Sequence, residues 1–312
     1  MFDAPQASPP FTAALGQTVC RFLPAGKYRF AFWMANRAYP AFWASLPDSL
    51  GGAKFACDLR DTIARDSYFI GIYEPVETRL MQRCLKIGDT LVDVGGNWGY
   101  FTLVAGGLLR GGGRIVTFEP DPRLLPVLQG NVKQNGFQHV TVLPVAASDQ
   151  EGTLEFNGFT EAGGNSGLSS AFGEKRAGDR VFTTRARPLD AVFAELDIGH
   201  AAFLKMDIEG AEGVALRGLA QSLRAGKVDR MMIELHPLHL KNGGFDAKTL
   251  VDEVVTCGYT AHRIDHSWET LRKFSYDPNT PIESALLPYL ASESLDDWPH
   301  ILFVRNGLPL LP

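Results

Sequence analysis

Three short stretches of the 312-residue chain hold residue types and spacings that could do chemistry. The first is Asp93-Val-Gly-Gly-Asn-Trp-Gly99, which ends one apolar run and opens directly into a helical one. Glycines at such a junction let the backbone turn tightly and approach a ligand, and the helix that follows presents unpaired N–H groups. The next apolar run ends at Glu119, 24 positions after Gly95, where a carboxylate can accept hydrogen bonds from both hydroxyls of a ribose. A dinucleotide would want G-x-G-x-x-G, but counted from Gly95 the required glycines fall on Asn97 and Tyr100. Asp93 at the strand end suits a ligand carrying an ammonium and a sulfonium, and opposes a pyrophosphate. A NAD-dependent oxidoreductase is therefore the second reading, and a non-catalytic partner protein with this fold the third.

The other two stretches are Lys205-Met-Asp207-Ile-Glu209-Gly210 and Glu234-Leu-His236, each closing an apolar run. In open α/β sheets ligands bind beyond the carboxyl ends of the strands, so both should face the same crevice. With a sulfonium ligand the chemistry is an in-line displacement at carbon. The protein must align the acceptor oxygen and take its proton. His236 is the preferred base because imidazole titrates near neutrality, with Asp207 and Glu234 as competitors. The alternatives are that Asp207 holds the ligand's ammonium group and that His236 is a structural residue before Pro237. Lys205 is expected to pair with Glu209 or Asp207, and Glu212 to lie on a solvated helix face. A divalent ion on Asp207, Glu234 and His236 is conceivable but not favoured, and no metal ligand is assigned. His262 and His266 are read as surface residues.

These residues need a framework, and the hydrophobic pattern supplies one. Apolar runs of strand length at 90–95, 114–120, 139–147, 201–207, 229–236, 259–265 and 301–306 alternate mostly with helical stretches such as 98–110 and 122–135. Buried strands joined by crossover helices give an α/β fold with a doubly wound, mostly parallel seven-stranded sheet. The last strand has no crossover of its own and is expected antiparallel at the sheet edge. Residues 153–158 and 180–186 read as an added strand pair around a long Gly/Ser-rich loop at 163–179. The domain thus spans 71–312, with insertions at 153–186 and 266–299, and the segments 163–179 and 266–299 are expected to shape the acceptor site. Residues 1–70 form an accessory helical segment. Within it, 11–23 reads as a short helix. The aromatic stretch 28–46, broken by Pro40, reads as a helical cap, with a homodimer surface or a membrane-surface contact as the alternatives.

A net charge of −5 with 45% apolar and 21% charged residues is that of an ordinary globular protein and argues against coating nucleic acid. Cys20, Cys57, Cys84 and Cys257 form no C-x-x-C pair and no disulfide framework, and the amino terminus lacks the basic start of a signal peptide. A cytoplasmic enzyme is expected.

Taken together, DTLVDVGGNWGYFTL, VTFEPDP, LPVAASDQEGTLEF, FLKMDIEGAEGVAL and MMIELHP, over roughly residues 70–240, resemble the FkbM family of methyltransferases. The resemblance implies a Rossmann-like class I methyltransferase domain that uses S-adenosyl-L-methionine to methylate hydroxyl oxygens, often on saccharides, glycolipids or secondary metabolites. It also implies that Asp93, Gly95, Asn97 and Gly99 line the methionine end and that Glu119 holds the ribose. Ala147 and Ser148 would border the adenine, and Glu74, in GIYEP, would reach the cofactor. The chain departs from the family pattern at Gly96 and Trp98, where small aliphatic residues are frequent.

Overall fold

A computed structural model describes residues 5–37, 39–158, 169–173, 180–292 and 294–312. Helices α1 (Phe11–Phe22) and α2 (Lys27–Ala35) lead into an antiparallel hairpin, β1 (Phe42–Ser45) with β2 (Lys54–Cys57). The aromatic stretch 28–46 is therefore half helix and half strand. Pro40 lies between the two, where its fixed φ and missing N–H do no harm. Helix α3 (Thr62–Phe69) is capped by the Asp61 carboxylate, which accepts from the Ala64 N–H at 2.9 Å, and α4 (Pro75–Cys84) follows.

The core then alternates: β3 (Thr90–Val94), α5 (Tyr100–Leu109), β4 (Arg114–Phe118), α6 (Leu125–Gln134) and β5 (Val140–Leu143). The run 139–147 is not one strand. It breaks at Pro144, and β6 (Ala146–Ser148) turns away to pair in parallel with β8 (Arg180–Pro188), which is antiparallel to β7 (Gly152–Gly158). The β7–β8 pair is the hairpin expected from 153–158 and 180–186. Most of the loop 163–179 lies outside the described residues. Next come α7 (Leu189–Glu195), β9 (Ala201–Met206), α8 (Glu212–Arg217), α9 (Ala220–Arg224), β10 (Val228–Glu234), α10 (Pro237–Asn242) and α11 (Ala247–Thr256). The chain closes with β11 (Tyr259–Ile264), α12 (Trp268–Tyr276), β12 (Leu286–Pro288) and β13 (His300–Arg305).

The main sheet has eight strands in the order β12-β11-β13-β10-β9-β3-β4-β5. The extra one, β12, falls inside the presumed insertion 266–299. A second difference concerns β13. It is antiparallel, as expected, but sits between β10 and β11 rather than at the edge. Its sequence explains this: Ile301, Leu302, Phe303 and Val304 are all buried, and a strand apolar on both faces belongs inside a sheet.

Alternate residues feed two cores. Leu91, Ile115 and Phe203 face one side, and Val92, Val116 and Leu204 the other. The first core also takes in Ala13, Cys20, Phe42 and Phe55, so the first 70 residues cover one face of the sheet. No described helix is long and apolar enough to cross a membrane.

Candidate functional site

The turn after β3 leaves no room for side chains. At Gly95, φ is +89° and a Cβ would lie 1.9 Å from the Asp207 carbonyl oxygen. The glycine lets the ends of β3 and β9 touch. Gly96 is explained the same way, because a Cβ there would meet Thr117 Oγ1 at 2.2 Å. Trp98 points away from the turn, stacks on Phe55 at 5.2 Å and donates to Asp61, tying the turn to the amino-terminal layer. Gly99, with φ +104°, starts α5, and a Cβ would press on Leu128.

Glu119 is gripped by the backbone. Its two oxygens accept the Asn97 and Asp121 N–H groups, each at 2.7 Å. Burial pushes its carboxyl up to about 8, against the pull of both N–H groups. It lines a cleft of about 860 Å³ at the carboxyl ends of β3, β4 and β9, together with Gly95, Asn97, Ala147 and Asp207. Among the described lining residues the single cation is Lys205, and it sits 3.3 Å from Asp207 Oδ2 and 3.3 Å from the Gly95 carbonyl. Acids with one paired cation suit a positively charged ligand and give a pyrophosphate nothing to bind.

Glu234 and His236 do not line this cleft, and neither do four of the expected cofactor residues. Asp93 is fully buried behind the turn, where Oδ2 accepts from Thr102 Oγ1 at 2.6 Å, and burial raises its carboxyl despite Lys205 and Thr102. Gly99 acts only as the helix start. Ser148 is buried beside Asp149, and the wall at that end is formed by Val145, Ala146, Ala147 and Phe156. Glu74, at φ +40°, opens onto a neighbouring cleft.

The expected base is heavily compensated. His236 is buried, its Nδ1 is 2.9 Å from Glu212 Oε1, and its Nε2 lies 3.4 Å from Glu209, 3.5 Å from Glu234 and 4.0 Å from Asp207. Burial disfavours its charge, but Glu212, Glu209 and Asp207 raise it to about 10. These carboxylates favour the imidazolium over the neutral ring that a base requires. Glu212 is fully buried rather than solvated, and it also accepts the Gly210 N–H at 3.0 Å. Burial works against ionised Glu234, yet His300, His236 and Lys205 hold it down to about 2. Glu209 lines the cleft, and burial pushes it up to about 8, opposed by His236 and reinforced by Asp207. Asp207, Glu209 and His236 offer atoms within 4.8 Å of one another, so any convergence on an ion would involve Glu209 where the sequence pointed to Glu234. His266, read as a surface residue, is half-buried and stacks on His300 at 4.3 Å.

A second cleft, of about 1320 Å³, lies between α2, α4 and α12. Its walls are Tyr28, Phe32 and Trp268, and its floor includes Glu74 and His300. His300 is 2.8 Å from Glu77 and 3.4 Å from Glu234, so the floor leads through Glu234 to His236. Tyr73 lines both clefts. Sequence reasoning missed Glu209, Glu212 and His300. The Asp-x-Glu spacing after β9 marked Glu209, but nothing local marked the other two.

A doubly wound sheet with a tight glycine turn and an acid at the next strand end defines a Rossmann-like methyltransferase fold. A model of the Methyltransferase FkbM domain matches residues 93–261, more than half of the chain, and the protein belongs to that family. No curated protein matches the chain. Among solved structures, methyltransferase FkbM from Methylobacillus flagellatus is similar at 16% identity and TM-score 0.45, covering 94% of this chain and 59% of that one. The chain thus spans under two thirds of that protein's length. Aeropyrum pernix fibrillarin with bound S-adenosyl-L-methionine is similar at 11% identity and TM-score 0.37, covering 72% of each chain. A SAM-dependent O-methyltransferase from Thermotoga maritima is similar at 13% identity and TM-score 0.34, covering 75% of this chain and 65% of that one.

Proposed function

We propose that the protein is an O-methyltransferase acting on a hydroxyl of a saccharide, glycolipid or secondary metabolite. The observation that carries this reading is the Glu119 carboxylate, fixed by two backbone N–H groups in the wall of a cleft rich in acids and poor in cations. Bound S-adenosyl-L-methionine would supply an activated methyl group on a good leaving group. Glu119 would take the ribose hydroxyls, and Asp207 would face the positive end. The acceptor would enter through the aromatic cleft and meet the donor at Tyr73. Glu209 would accept the hydroxyl proton, because a carboxylate raised toward neutrality is a stronger base than Glu234. His236, kept charged by Glu212, would position Glu209 and Asp207. Calorimetry with S-adenosyl-L-methionine and with NADH tests the pocket, and a mass-detected transfer screen over hydroxyl-bearing metabolites tests the reaction. Binding of NADH in preference would overturn the reading. So would cofactor binding without turnover on any hydroxyl acceptor.

A further inference from the structure

Helix α1 exposes an apolar stripe. Phe11, Leu15, Val19 and Phe22 follow at spacings of four, four and three, so they share one side of the helix, while Ala13, Gly16 and Cys20 take the buried side. Phe11 is 80% and Phe22 82% exposed. The stripe has a neighbour of the same character. Helix α2 packs on α1, with Gly16 leaving room only for the Met34 side chain, and α2 exposes Phe32 and Trp33. Helix α12 is latched to α2 by Tyr28 against Ser275 at 2.7 Å and by the Lys27 N–H to Tyr276 Oη at 2.9 Å, and it exposes Trp268. So much exposed apolar surface on neighbouring helices marks a contact site.

Charge identifies the partner. Between residues 4 and 47 there are four basic residues, Arg21, Lys27, Arg29 and Arg37, and no Asp or Glu, in a chain whose net charge is −5. Arg21, Arg29 and Arg37 are exposed, and Arg37 stacks on the Trp33 ring at 3.7 Å. In a two-fold dimer through this face the same positive patch would meet itself. An anionic bilayer satisfies both features, since apolar side chains enter the acyl boundary while Arg and Lys stay among the headgroups.

We propose that α1 and α2 dock the protein on an anionic lipid surface. Docking brings to the bilayer the rim of the aromatic cleft, to which Tyr28, Arg29, Phe32 and Trp268 belong. The docking itself does not depend on the methyl-transfer reading.

The test is co-sedimentation with vesicles of phosphatidylcholine alone and of an equal mixture with phosphatidylglycerol. The protein is expected to pellet with the mixed vesicles, much less with the neutral ones, and less again as salt is raised. The double variant Phe11→Ser/Phe22→Ser and the double variant Arg21→Glu/Arg37→Glu should each fall to background. All four side chains are exposed, and unchanged affinity for S-adenosyl-L-methionine would show that the variants are folded. Absence of vesicle binding, or binding indifferent to both variants, overturns the proposal. It is also overturned if light scattering finds a native dimer that Phe11→Ser/Phe22→Ser dissociates, because a second copy then covers the face. Failure to bind S-adenosyl-L-methionine with vesicle binding intact would instead overturn the cofactor reading.

Discussion

At the residue scale, Glu119 and Asp93 look alike in sequence, each an acid at or near a strand end, but they answer to different physics. Glu119→Ala removes a lining carboxylate and should weaken S-adenosyl-L-methionine binding by about 1–3 kcal/mol, roughly 5- to 150-fold by calorimetry. Asp93 touches Thr102 in the dry interior, so Asp93→Ala should lower the unfolding temperature more than it lowers affinity. Glu209→Gln should cut kcat by about 10²–10⁴-fold with cofactor affinity nearly kept. The pH profile tests the same assignment independently. A Glu209 base gives an acid limb at or below pH 8, where its carboxyl loses its proton, whereas a neutral His236 base would place the limb near 10. Gly95, Asn97, Glu119 and Asp207 were legible because strand ends set their place. Glu212 was not, because its helix is short and its imidazole partner His236 is distant in sequence.

At the element scale, the turn after β3 is the least forgiving part of the chain. Gly95→Ala forces a Cβ onto the Asp207 carbonyl and keeps a strained positive φ, so it should destabilise by more than the roughly 1–3 kcal/mol of backbone strain alone. Thermal unfolding without cofactor measures it, and a melting temperature within a degree of the parent would show that β3 and β9 can separate freely. Alternation of apolar residues made the parallel strands readable. It could not say that Pro144 turns β6 into another sheet, because an apolar run reads alike in either. Nor could it choose between edge and interior for β13, although its four consecutive buried residues held the information.

At the scale of the whole molecule, buried acids and imidazoles outside their ordinary ranges make stability depend on pH. Glu74, Glu119 and Glu209 are raised to about 8 in the fold, so from their unfolded values near 4.5 upward the folded state holds the extra protons. His236 is raised to about 10 from 6.5, and its contribution is fully present below 6.5 and lost as pH climbs through 10. Both groups act in one direction, so the melting temperature of the cofactor-free protein should fall as pH rises from about 6 to about 9, by roughly 2–4 °C per kcal/mol. Cationic S-adenosyl-L-methionine should raise it more at the upper pH. A flat profile would show that these acids are already ionised in the empty cleft. The layered architecture was legible from composition and pattern. Which face of the sheet the expected amino-terminal cap covers was not, because Trp98 against Phe55 and Asp61 joins segments far apart in sequence.

The interior position of β13 sets the order in which the protein can be made. Glu234 waits for His300, 66 residues later, and β10 and β11 have no partner between them until residues 300–305 have left the ribosome. At about 5–20 residues per second that is an interval of some seconds. During it the nucleotide half, β3 to β5 with the Glu119 turn, can already be folded, while two unpaired strand edges stay open to other nascent chains. The glycine turn and Glu119 are thus synthesised first, and the strand that brings His300 to the floor of the second cleft arrives last.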